Sequence, residues 1–109
     1  MEQIEPARSG HVVIGVDTHK HIHGAAVMDS IGGILASLTI STDTAGFRQL
    51  SEWAATFGKI IAFGIEGTGS YGAGLTSFIR RNGHKVIEVS RPDRRLRRLN
   101  GKSDTLDAE

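Results

Sequence analysis

Two short stretches constrain this chain more than anything else in it. His11–Asp17 (HVVIGVD) and Lys59–Glu66 (KIIAFGIE) are almost continuously apolar, rich in β-branched residues, and each stops on a carboxylate. Apolar runs of this length, without helical spacing, read as strands buried on both faces, which is the pattern of the centre of a sheet covered by helices.

The remaining elements follow from turn chemistry and periodicity. Ile22–Met28 reads as a second strand, and Asp29-Ser30-Ile31-Gly32-Gly33 as a turn into a third, Ile34–Ser41, so the first three strands form an antiparallel meander. Thr42 or Asp43 can cap a helix carrying Phe47, Leu50, Ala54 and Phe57 on one face and closed by Gly58. Past Glu66 a glycine-rich loop leads to a second amphipathic helix marked by Leu75, Phe78 and Ile79, which stops at Asn82-Gly83 before a fifth strand, His84–Val89. Leu96 and Leu99 have the spacing of one helical turn, and Ser103 can start a last helix. A right-handed helical crossover places Lys59–Glu66 parallel to a strand of the meander, and its most apolar available neighbour is the first. The expected architecture is an α/β mixed sheet of order 3-2-1-4-5 with strand 2 antiparallel and helices packed on it.

At 109 residues the chain has room for one domain. Residues 1–10 are polar and read as a flexible N-terminal segment, lacking the basic start and apolar stretch of a secretory signal. No run approaches the roughly 18 apolar residues of a membrane span, so no membrane partner is expected. The absence of cysteine excludes disulfides and thiolate zinc sites and fits a cytoplasmic location. The net charge of +1 conceals an asymmetry: residues 1–79 sum to −3, residues 80–102 to +7, and the last seven to −3. A basic block beside isolated acids suits a phosphate-binding surface, and equally an ordinary solvated segment.

The acids are the candidate site. If the two apolar strands are parallel neighbours, Asp17 and Glu66 leave the same sheet edge about one strand spacing, roughly 4.8 Å, apart. That edge, beyond the carboxyl ends of parallel strands, is where open α/β sheets bind ligands. Two carboxylates so close repel unless a cation lies between them, and a hard divalent ion such as Mg²⁺ takes oxygen ligands. Asp104 and Asp107 stand three residues apart, which on a helix puts both on one face. Each acid also has a plain structural reading: Asp17 as a turn residue, Glu66 as a loop acid, and the last pair as complements to the dipole of a helix capped by Ser103.

Other residues extend the candidate surface. Tyr71, in the loop Gly67-Thr68-Gly69-Ser70-Tyr71-Gly72, can stack on a base or sugar, while the loop's backbone either approaches a phosphate or simply packs over the sheet edge. Arg91, Arg94, Arg95, Arg97, Arg98 and Lys102 put six cations in twelve residues, a density that favours a nucleic-acid backbone. His19, His21 and His23 alternate and would share one strand face; a polar strand start is preferred for them over zinc ligation.

Asp17 with Thr18-His19-Lys20, Glu66 in GIEGTGSYG, and Lys102-Ser103-Asp104-Thr105-Leu106-Asp107-Ala108 occur in an order that closely resembles the DEDD transposases of one group of insertion sequences. The resemblance covers roughly residues 12–109 and implies a RuvC-like, RNase H-type catalytic domain over residues 11–109. It implies four metal-binding catalytic carboxylates, Asp17, Glu66, Asp104 and Asp107, with Mg²⁺ or Mn²⁺ as cofactor and DNA as substrate. Lys20, by its place in the motif, becomes a candidate phosphate contact. The resemblance also implies a homo-oligomer for the full-length protein and suggests a structured guide RNA, although no residue here shows RNA preference. Family members continue through further catalytic, helical and C-terminal regions, so the chain is expected to be the N-terminal part of such a protein. Two alternatives stay open: a non-catalytic DNA- or RNA-binding or assembly module, and half of an actin- or sugar-kinase-like ATPase, whose fold also opens with a Gly-x-Asp strand such as Gly15-Val16-Asp17.

Overall fold

The computed structural model describes residues 6–89. These form β1 (His11–Thr18), β2 (Ile22–Asp29), β3 (Ile34–Ser41), α1 (Thr44–Ala55), β4 (Lys59–Glu66), α2 (Ala73–Arg81) and β5 (Val86–Val89). The sheet order is β3-β2-β1-β4-β5, with β1 antiparallel to β2, β2 antiparallel to β3, and β4 parallel to both β1 and β5. The order read from the sequence holds, because each crossover is spanned by one amphipathic helix and the two most apolar strands pair with each other.

Strand alternation sorts the side chains. Val12, Ile14, Val16 and Thr18 of β1 are buried on one face together with His23, Ala25, Val27 and Asp29 of β2 and Phe63 and Ile65 of β4. That face carries the helices: Phe47, Leu50 and Ala54 from α1 and Leu75 and Ile79 from α2 complete a single core cluster. Full burial of a side chain such as Phe63 or Leu50 stabilises the fold by about 1.5–3 kcal/mol. The opposite face holds Val13, Gly15, Ala26, Met28, Gly64, Ile87 and Val89, of which none is buried. Among the described residues the central strands are therefore fully covered on one face rather than on both, since α1 and α2 lie on the same side. β4 also carries one residue more than β1 in the stretch where they pair: Val12 faces Ile60 and Val13 faces Ala62, leaving Ile61 out of the register.

Local signals account for most element ends. Asp43 caps α1, accepting from the Gly46 amide at 2.9 Å while Ser41 Oγ donates to the same carboxylate oxygen at 2.7 Å, and these bonds hold the Asp43 carboxyl below its usual pKa. The helix stops at Ala55 with Thr56 as its C-cap, earlier than Gly58, yet Phe57 still turns into the core. β5 begins at Val86, two residues later than expected, because the His84 amide donates to Ile79 at the end of α2 and the His84 ring packs against Phe63.

Residues 6–10 are held against the body of the fold. Ala7 is buried and its amide donates to Phe57 O at 2.7 Å. Asp29 holds the following residues, accepting from the Arg8 amide and Ser9 Oγ, each at 2.6 Å, and from the Ile31 amide at 3.2 Å. Ser9 is the main reason the Asp29 carboxyl lies below its usual pKa; burial opposes, and the backbone amides of Ile31, Arg8 and Ser9 add to the depression.

Candidate active site at the ends of the parallel strands

The β1–β4 ladder ends with the pairs Gly15 with Gly64 and Val16 with Ile65. Continuing that register by one residue puts Asp17 beside Glu66. Both belong to the face opposite the helices, because Val16 and Ile65 are buried on the helix face. Their neighbours are small: Asp17 faces Gly24 across the antiparallel ladder, and Gly15 and Gly64 lie one step inward on the same face. Both acids line a broad groove over this face with Gly15, Gly24 and Gly64 as part of its floor. The two strand-terminal acids singled out from the sequence thus come together on one open edge.

His19 closes one side of the site. Its Nε2 lies 3.2 Å from Asp17 Oδ2, and since a carboxylate can only accept, the ring donates; both side chains are more than half exposed. His19 belongs to the turn between β1 and β2, where its backbone amide donates to Ile22 O at 3.1 Å and to His23 Nδ1 at 3.3 Å. The three alternating histidines do not share a face. The turn interrupts the alternation, so His19 and His21 are exposed while His23 points into the core and stacks on Phe47 at 6.2 Å. Burial holds the His23 imidazole below its usual pKa, the Ile22 backbone acting against this and neighbouring His19 with it. Among the described residues no set of three acids or histidines is arranged to hold a metal ion.

Lys20 is exposed in the same turn. Tyr71, 57% exposed, lines a smaller recess beside the site with Thr18, His19, Gly67, Ser70 and Glu88. Asp104 and Asp107, and with them Arg91, Arg94, Arg95, Arg97, Arg98 and Lys102, lie outside the described residues. Two residues that line the recess with Tyr71 carried no signal in the sequence as candidates in their own right. Glu88 enters through the parallel pairing of β5, opposite Ile65. Thr18 shows no signal beyond adjacency to Asp17, yet its Oγ1 donates to the Glu66 carbonyl at 2.8 Å.

A five-stranded mixed sheet of order 3-2-1-4-5, with an antiparallel second strand and an acid at the end of each central parallel strand, is the RuvC-like, RNase H-type architecture. Among solved structures, the Holliday junction resolvase of fowlpox virus superposes with a TM-score of 0.51 over 85% of this chain and 72% of that one, at 12% identity, a likeness of fold. The profile of the DEDD transposases of the IS110 type, described as transposase, matches residues 14–109, and the chain belongs to that family. No curated protein matches it. None of the helices among the described residues is long and apolar enough to cross a membrane.

Proposed function

We propose that the chain is the catalytic part of a transposase that cuts and joins DNA, with Asp17 and Glu66 as two of four carboxylates holding divalent metal. The observation that carries this reading is the parallel pairing of β1 and β4, which sets these two acids side by side on one face.

The donor set suits the group. Two carboxylates are hard oxygen ligands that favour Mg²⁺ or Mn²⁺ over zinc or copper. Asp104 and Asp107 would add the remaining ligands, as the family motif implies. When bound, the divalent ions neutralise charge developing on the phosphate and activate the attacking oxygen. The chain's own residues position the substrate: His19 orients the Asp17 carboxylate, and Lys20 supplies a cation at the turn beside it. Tyr71 offers an exposed ring for stacking. Arg91, Arg94, Arg95, Arg97, Arg98 and Lys102 bring the phosphate backbone to the acids by charge neutralisation.

The test is cleavage of element-end DNA by the complete protein in Mg²⁺ or Mn²⁺. Asp17→Asn and Glu66→Gln, with folding verified by circular dichroism, should each lower the rate by at least about 100-fold, corresponding to roughly 3 kcal/mol of lost charge stabilisation. Undiminished cleavage by Asp17→Asn would refute the assignment.

A further inference from the structure

Asp17 and Thr18 are consecutive, so the strand sends their side chains to opposite faces. Thr18 turns inward and is 4% exposed. Its hydroxyl donates to the Glu66 carbonyl at 2.8 Å, one step beyond the last β1–β4 backbone pair, Val16 with Ile65. A side chain thus extends the ladder to the level of the acids.

The glycine loop closes on this bond. The Gly72 amide donates to Gly67 O at 2.8 Å and the Ser70 amide to the same oxygen at 3.0 Å, folding the loop back over the strand end. Gly67 has φ +63°, and a Cβ there would stand 3.0 Å from Thr18 Oγ1; a Cβ on Gly72 would stand 3.1 Å from Thr18 Cγ2. The Thr18 hydroxyl and methyl therefore do different things: one ties β1 to the Glu66 backbone, the other fills the space under the loop.

We propose that Thr18 is a positioning residue whose hydroxyl, by holding the Glu66 carbonyl, fixes the Glu66 carboxylate relative to that of Asp17. The proposal rests on the reading of these two acids as a metal-binding pair. It assigns the spacing of the site to a residue whose own side chain is buried beneath the acids.

The test separates hydroxyl from methyl in the complete protein, reading Mn²⁺ affinity from the electron paramagnetic resonance signal of free Mn²⁺. Thr18→Val keeps the methyl and loses the donor, and should raise the Mn²⁺ Kd about three- to tenfold, the effect of one net hydrogen bond, with an unchanged circular dichroism spectrum. Thr18→Ser keeps the donor and should bind within about twofold of the parent, although its lost methyl lowers the melting temperature. Parent-like affinity in a folded Thr18→Val, or a tenfold loss in Thr18→Ser, overturns the positioning role. Should Thr18→Val not fold, Thr18→Ala takes its place: it should bind Mn²⁺ about three- to tenfold more weakly than Thr18→Ser, and equal affinity of the two overturns the positioning role. Asp17→Asn and Glu66→Gln distinguish the two levels: if neither weakens Mn²⁺ binding, the metal-pair reading fails and this inference with it.

Discussion

Gly72 offers a quantitative check on how tightly the loop is built over the site. A Cβ at Gly72 would lie 2.8 Å from the carbonyl oxygens of both Glu66 and Gly67. Carbon and oxygen rarely approach closer than about 3.3 Å, so each carbonyl has to retreat by roughly 0.5 Å. Neither is the tip of a flexible side chain, and the Glu66 carbonyl is also tied to Thr18. Overpacking of this kind costs about 1–3 kcal/mol. For a domain of this size, that lowers the melting temperature by about 5–15 °C. Gly69, in the same loop, has open space where its Cβ would go and no positive φ. Gly69→Ala should therefore stay within about 0.5 kcal/mol of the parent. Thermal unfolding followed by circular dichroism compares the two directly, and amide exchange at Gly72 reports whether its 2.8 Å bond to Gly67 loosens. Equal melting temperatures for Gly72→Ala and Gly69→Ala would refute the close packing of the loop on the Glu66 backbone.

Two further outcomes are expected. Burial lowers the folded pKa of His23 below the unfolded value near 6.5, so the unfolded state binds the extra proton first. Stability is complete above that value and declines as the pH falls from it toward the folded pKa; melting curves between pH 7.5 and 5.5 should show the decline, and His23→Leu should flatten it. Asp29→Ala removes the acceptor of the Arg8 amide and Ser9 hydroxyl, so amide exchange at Arg8 and Ser9 should accelerate while that in β4 is unchanged. Parent-like protection at Arg8 would show that Asp29 does not hold the N-terminal residues.

The sheet order was legible because its determinants are local: apolar runs, one amphipathic helix per crossover, and turn residues between them. The pairing of Asp17 with Glu66 followed from those same runs. What escaped depends on contacts between distant residues or on a shift of phase. Thr18 meets Glu66 across 48 positions through a side chain bonded to backbone, and Asp29 reaches Arg8 across 21. The histidines were assigned a common face because alternation was carried through His19–His23, whereas the turn ends only at Ile22. The open face reflects where α1 and α2 lie, which apolar content alone does not specify.

The extra residue in β4 decides on which face of the sheet Glu66 emerges. Strands keep parity: odd positions look one way and even positions the other. Ile61 breaks that parity, so Ile60 and Phe63, three apart, both pair with residues of β1 that face the helices. Remove the bulge while keeping the lower half of the ladder, and Thr18 rather than Asp17 would stand opposite Glu66, with the acid turned toward the core. Deleting Ile61 would instead leave Ala62 opposite Val13 and keep the carboxylates together, whereas taking Ile61 into the ladder opposite Val13 would put them on opposite faces. Ile61 itself is left exposed at the bulge, and the face on which Glu66 emerges is set there rather than at the acids.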